Sequence, residues 1–177
     1  MKSSQVLYLG ISGVLHPSWS FYEEVNGHPP DQDGHKKYES VGPLYRALEA
    51  FPEARIVLTS TQPWAKGLPT VLEQLGQLAE RVDGFTFLDL TTKAPCDRLG
   101  RPMTEMDYWR CTKSQVVQRH VEWIKPESWI AIDDEDILWP HDVRAARLVL
   151  TDPCQGLSDP RAFDRLLTVL EGNFGGG

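Results

Sequence analysis

Cysteine is scarce in this chain, and what there is does not pair. Cys96, Cys111 and Cys154 are the only three, odd in number and far apart. That leaves neither a disulfide framework nor a cysteine-based metal site to read, and a reduced, cytoplasmic setting is the expectation. Positive charge is also short: 18 Lys and Arg stand against 25 Asp and Glu, for a net charge of −7. Nucleic acid and acidic membrane surfaces therefore lose their usual electrostatic attraction, and a nucleic-acid partner is not expected. No apolar run approaches the roughly 20 residues a membrane helix needs, so no membrane association is expected. The first residues, MKSSQ, lead directly into an apolar run, and no signal peptide is expected from them. Neither an internal repeat nor an interdomain linker is evident. With 177 residues and 41% hydrophobic content, the chain can bury one sizeable core. One domain over residues 1–172 is expected, followed by a flexible glycine-rich tail over 173–177.

What is present is organised around Val6–Pro17, VLYLGISGVLHP. An apolar run (Val6, Leu7, Tyr8, Leu9) enters a turn carrying Gly10, Ser12 and Gly13, and Val14 and Leu15 close it. A buried strand running straight into a glycine-rich turn sets that turn at the carboxyl edge of a parallel sheet. Backbone N–H groups there can cradle a ligand. The same residues also read as a first strand and an ordinary loop.

His16–Ser40 is polar and rich in turn formers, with no sustained helical period. Its length predicts a lid or an irregular excursion, which Trp19, Phe21 and Tyr22 could anchor. His28 and His35 are flanked by Pro and Gly and lack a matching pair elsewhere. They read as solvent-exposed loop residues rather than metal ligands. Gly42–Phe51 predicts a helix with Leu44, Leu48 and Phe51 on one face, stopped by Pro52. Arg55–Thr61, RIVLTST, is a second buried strand ending in hydroxyls. Leu68–Val82 is an amphipathic helix, apolar at Leu68, Val71, Leu72, Leu75 and Leu78. Gly84–Leu90 gives a third strand, and Thr91–Asp107 reads as irregular. Thr112–Ile124 is helical, with Val116, Val117, His120 and Val121 inward and Lys113 at its start. In Ser128–Asp136, SWIAIDDED, a strand over Trp129–Ile132 delivers Asp133 and Asp134 at its carboxyl end. Arg147–Thr151 is the fifth strand, Phe163–Leu170 the last helix, and EGNFGGG should fray. Strands interleaved with helices imply a three-layer α/β/α sandwich around a parallel five-stranded sheet.

Several of these stretches resemble the haloacid dehalogenase (HAD) superfamily of phosphatases and phosphotransferases. Val6–Pro17 resembles its motif I, a strand followed by D-x-D-G-[VT]-L, in the strand, Gly13, Val14, Leu15 and the following His16-Pro17. The closest flavour is small bacterial and phage HAD-domain proteins, with T-S-T-x-x-W near motif II and W-x-A-x-D-D at motif IV. The resemblance runs from Val6 to roughly Leu157 and implies the strand order 3-2-1-4-5. It also implies one crevice lined by Gly10, Ser12, Thr59, Lys113, Asp133 and Asp134. Within it Thr59, with Ser60 beside it, would supply the motif II hydroxyl, and Lys113 the motif III cation. Asp133 and Asp134 would be the motif IV ligands of magnesium, which takes hard oxygen donors. Each has a plain alternative: a hydroxyl capping the next helix, a surface lysine, and acids capping a helix or forming a solvated turn.

At two positions the chain departs from the family. Gly10 stands where the family places its nucleophilic aspartate, and Ser12 where it places the acid/base aspartate. Glycine can neither attack phosphorus nor ligate a metal, and a serine hydroxyl is a poor acid at neutral pH without an activating neighbour. The resemblance therefore implies a catalytically degenerate HAD-fold protein without catalytic residues, kept as a binding or regulatory module. Its ligand contacts would come from Ser12, Gly13, Thr59, Ser60 and Lys113. Its partner would be a protein or a small phosphorylated ligand. No cofactor is expected, with Asp133 and Asp134 at most a weak magnesium site. The alternative is a magnesium-dependent phosphatase that works by a non-standard route, such as a metal-bound water attacking directly.

Overall fold

The structure, a computed structural model, describes residues 5–86 and 110–176. Its centre is a five-stranded parallel sheet in the order β3-β2-β1-β4-β5. The strands are β1 (Gln5–Leu9), β2 (Ala54–Leu58), β3 (Val82–Phe85), β4 (Ser128–Asp133) and β5 (Leu148–Leu150). The central strand explains itself. Val6, Leu7, Tyr8 and Leu9 are all fully buried, as a strand covered on both faces requires.

Alternation along the strands sorts the side chains into two layers. Leu7, Leu9, Ile56, Leu58, Ile130 and Ile132 face one core. Against them pack α2 (Val41–Ala47), α4 (Leu68–Leu75) and α7 (Pro160–Phe174), through Leu44, Val71, Leu75, Leu166 and Leu170. Val6, Tyr8, Val57 and Ala131 face the other core, covered by α5 (Lys113–Ile124) and α6 (His141–Arg147) through Val117 and Val143. Tyr8 carries a polar group into that layer and places its hydroxyl 2.9 Å from Nδ1 of His120. Burial lowers the His120 pKa to about 4, so the ring is neutral and can share that hydrogen bond.

Register fixes where the strands end. Leu9 pairs with Leu58 on one side and Ile132 on the other. The backbone bonding then runs one step further: Gly10 N–H donates to Ile132 C=O at 2.9 Å, and Thr59 N–H to Leu9 C=O at 2.9 Å. Gly10, Thr59 and Asp133 thus leave the sheet side by side at its carboxyl edge.

The element boundaries differ from the sequence expectation in several places. His16–Ser40 is not irregular throughout: Trp19–Asn26 is a helix, α1, and Pro30–Asp33 a 3₁₀ turn. Only Tyr22 of α1 is buried, so no apolar stripe announces this helix in the sequence. It ends at Gly27, whose φ of 76° sets the left-handed cap that donates to Glu23 C=O. The helix expected to reach Val82 gives way after Leu75 to a 3₁₀ stretch over Gly76–Arg81, and Val82 opens β3. The third strand therefore begins two residues earlier than Gly84. The remainder of that expected strand, the Thr91–Asp107 stretch and Cys96 lie outside the described residues. Two short helices gave no sequence signal: α3 (Gln62–Lys66), and α6, which buries no residue fully. Helix α5 starts on a capping box, in which Thr112 Oγ1 accepts from Gln115 N–H and Gln115 Oε1 accepts from Thr112 N–H.

The carboxyl end also differs. Helix α7 continues through Asn173 and Phe174 instead of fraying at the glycine-rich tail. Phe174 is 4% exposed and meets Phe51 edge-on, with ring centroids 6.1 Å apart. Asn173 C=O accepts from Ser128 Oγ at 2.7 Å, which ties the helix end to the start of β4. The Phe174→Ala variant is therefore expected to lose about 3 kcal/mol of stability in urea denaturation. A loss under about 0.5 kcal/mol, the size of an ordinary surface change, would mean that this turn is frayed in solution.

Candidate functional site

The crevice at the carboxyl edge is built from three strand ends and one helix start. Asp133 closes β4 and is 2% exposed, so its carboxyl has left water almost completely. Two donors meet it. Thr59 Oγ1, just past β2, donates to Oδ2 at 3.1 Å, and Glu135 N–H donates to Oδ1 at 3.2 Å. Burial still dominates and raises the Asp133 pKa to about 7, against the opposing pull of Lys113 and these hydrogen bonds. Asp134, half-buried beside it, is raised for the same first reason, and hydrogen bonds to Asp133 and to its own backbone N–H act in the opposite direction.

Both aspartates lie in space that glycines leave open. A Cβ at Gly10 would stand 2.9 Å from Asp133 Oδ2 and 2.9 Å from Val14 Cγ2. A Cβ at Gly13 would meet the Asp134 carboxyl outright, with Oδ2 at 2.1 Å. Gly13 also has φ +74°, a conformation that costs a residue with a side chain. A side chain at position 10 would thus crowd the Asp133 carboxyl by a few tenths of an ångström at its first carbon.

Lys113, first residue of α5, reaches across the crevice, and its Nζ donates to Thr59 C=O at 2.6 Å. Its own N–H donates to Glu135 Oε1 at 3.0 Å, which puts a carboxylate at the positive end of α5. Glu135 thereby fixes both the Asp133 carboxyl and the start of the helix that carries Lys113. In the sequence Glu135 reads only as a member of an acidic run.

The resemblance placed Gly10, Ser12, Thr59, Lys113, Asp133 and Asp134 around one crevice, and these contacts bring them together. Gly13 lies beneath Asp134. Ser60 sits one step back, where its Oγ accepts from Gln62 N–H at 3.2 Å. Ser12 is exposed at the mouth, and its Oγ accepts from Gln62 Nε2 at 3.3 Å. In the turn itself, Gly13 N–H is spent on His16 C=O, and Val14 and Leu15 N–H on Ile11 C=O. Among the described residues, Ile11 and Ser12 N–H donate to nothing.

Sequence reasoning missed Gln62 and Tyr38 as parts of this site, because their residue types carry no motif, and it gave His16 no role beyond its place in the motif I stretch. His16 is 6% exposed, and its Nδ1 accepts from Tyr38 N–H at 3.2 Å. Its pKa is lowered to about 4, first by burial and then by the charges of Lys37 and Lys66, so the imidazole is neutral at pH 7. His28 and His35 are not free loop residues. They pair within the lid, His28 Nε2 with Asp33 at 2.8 Å and His35 Nδ1 with Glu39 at 2.7 Å.

The donors do not fit a resident magnesium ion. Asp133 has both oxygens engaged by protein donors, and position 10 adds no carboxylate. Among the described residues no three His, Cys, Asp or Glu side chains converge on one point. Magnesium asks for near-octahedral oxygen coordination, which two adjacent carboxyls do not build.

A family model described as the HAD domain in Swiss Army Knife RNA repair proteins matches residues 6–162. No curated protein and no solved structure shows significant similarity to the chain.

The raised Asp133 pKa has a signed consequence for stability. The unfolded carboxyl ionises near pH 4, and the folded one near 7. Between these values the folded state holds the extra proton, so stability falls as pH rises through that window, and above it the full penalty applies. The Asp133→Asn variant removes the penalty and keeps an oxygen for Glu135 N–H. Relative to the parent it is expected to gain on the order of 4 kcal/mol at pH 8 over its standing at pH 4. Thermal melts at the two pH values measure this, and an equal difference at both would show that Asp133 ionises normally.

Proposed function

We propose, for a chain that belongs to the family of HAD domains in Swiss Army Knife RNA repair proteins, that it is a catalytically degenerate member which binds a phosphorylated ligand without turning it over. The observation that carries this reading is position 10. HAD-type phosphoryl transfer begins with a carboxylate attacking phosphorus in line. Gly10 has no side chain, and a Cβ there would press on the Asp133 carboxyl, whose Oδ2 would lie 2.9 Å away. Asp133 does not take over the attack, because both of its oxygens are tied to Thr59 and Glu135 and its charge is suppressed by burial. At position 12 the hydroxyl of Ser12 has Gln62 beside it in place of a base, which leaves the leaving group without a proton donor.

Binding survives the loss of chemistry. The Ile11 and Ser12 N–H groups remain unspent in the turn, and Lys113 brings a positive charge to the crevice. An anion must still compete with the Asp133 carboxyl for Thr59 and bear the repulsion of Asp134. An affinity no better than about millimolar, roughly −4 kcal/mol, is the expected result. The family's description ties such domains to RNA repair, so a phosphorylated RNA end is the first natural ligand to try. The net charge of −7 favours contacts limited to that end over a long strand.

Two measurements test the reading. Hydrolysis of simple phosphomonoesters with magnesium should stay at background, while turnover that is lost in Asp133→Ala would overturn the assignment. Sulfate, which does not titrate in this range, should shift the amide resonances of Ser12, Gly13 and Thr59, more strongly at pH 6 than at pH 8 because Asp133 is then protonated. No shift at tens of millimolar would exclude the crevice as an anion site.

A further inference from the structure

One of the side chains that join residues 16–40 to the mouth of the crevice is Gln62. Gln62, at the start of α3, makes four contacts: its N–H donates to Ser60 Oγ, its Nε2 to Ser12 Oγ, and its Oε1 accepts from Tyr38 Oη at 2.9 Å and from Lys66 Nζ at 3.2 Å. Lys66 settles the orientation of the amide. An ammonium only donates, so the atom facing it is the oxygen, and the nitrogen must face Ser12. Tyr38 belongs to the arm by which the lid returns to the core. Its hydroxyl lies between Gln62 Oε1 and Gln74 Oε1, the latter at 2.6 Å.

Tyr38 is also held in an uncommon backbone state. Its φ is 60°, in the left-handed region that a residue with a bulky side chain adopts at a cost of about 1 kcal/mol or more. Such a conformation persists when its surroundings over-determine it. Here the backbone N–H is taken by His16 Nδ1, the ring packs edge-on against His16 with centroids 4.9 Å apart, and the single hydroxyl proton is shared between Oε1 of Gln62 and Oε1 of Gln74.

We propose that Gln62 is a latch that holds the returning arm of the lid at the mouth of the crevice, with the hydroxyl of Ser12 as its catch. Position 12, where the HAD motif carries an acid/base aspartate, then has a mechanical role in this chain: it accepts from Nε2 of the amide whose oxygen meets Tyr38 and Lys66. Glycine or alanine there would leave Gln62 Nε2 to water and the amide held at its oxygen alone. The latch stands apart from the anion-binding reading, since it needs no occupant in the crevice.

Amide hydrogen exchange followed residue by residue tests it. The reporters are the N–H groups of Tyr38, Glu39 and Val41, bonded to His16 Nδ1, Lys36 C=O and Tyr38 C=O respectively. Gln62→Ala is expected to speed their exchange about tenfold or more, with Leu166–Leu170 in α7 unchanged. Ser12→Ala is expected to speed the same amides about threefold or more in the parent and to add nothing in the Gln62→Ala background, as residues acting through one contact must. Should Gln62→Ala loosen α7 as well, Gln62→Met keeps the length of the side chain, removes its polar atoms, and serves in the same cycle. Reporter exchange within about twofold of the parent in the Gln62 variant, or an equal Ser12→Ala effect in both backgrounds, overturns the latch.

Discussion

The crevice depends on the Asp133 carboxyl being held out of water at the end of β4. Removing a carboxylate from water costs several kcal/mol, and a neighbouring hydroxyl and one backbone N–H offset only part of that. The group responds by shifting toward its neutral form. Its neighbours are arranged accordingly. Thr59 turns its hydroxyl to Oδ2, Glu135 turns its N–H to Oδ1, and Lys113 stretches over Thr59 rather than into open solvent. Gly10 completes the arrangement through its lack of a side chain. Any larger residue there would press on Oδ2 and on Val14.

The same contacts surround the two positions at which the family's motif I carries aspartates. The Asp133 carboxyl is held by Thr59 and Glu135 beside Gly10, and Ser12 Oγ is joined through Gln62 to Tyr38. The segment over residues 16–40 carries its own small polar and aromatic core, in which Tyr22 lies edge-on to both His28 and His35, and the two imidazoles pair with Asp33 and Glu39. It reads as an ordered element with defined attachments at Ser18, Tyr38 and Ser40, where Ser18 N–H meets Pro153 C=O and Ser40 N–H meets Leu15 C=O.

Legibility followed burial. Val6–Leu9, Ile56–Leu58 and Ile130–Ile132 are buried on both faces and stand out as apolar runs, so the sheet and its order could be read from them and from the resemblance. Helices α1, α3 and α6 were not read, because one buried tyrosine, one buried proline and no buried residue, respectively, leave no periodic trace. The end of α7 was misread for the opposite reason. Three terminal glycines suggested fraying, while Phe174 just before them is anchored by Phe51, a residue more than a hundred positions away in sequence.

By itself the sequence determined which groups positions 10 and 12 cannot offer. Gly10 and Ser12 carry no carboxylate, and no conformation can supply one to those positions. It also determined which residues end the central strands, since a parallel register carries Gly10, Thr59 and Asp133 to a common edge. Tertiary structure alone decided that the Asp133 carboxyl would lie against Gly10, that Glu135 would hold both it and Lys113, and that Gln62 would join Ser12 to Tyr38. The reason is physical. A residue type fixes which donors, acceptors and charges a position can offer, but which of them meet, and how much water is left around them, is set by strands and helices distant in sequence.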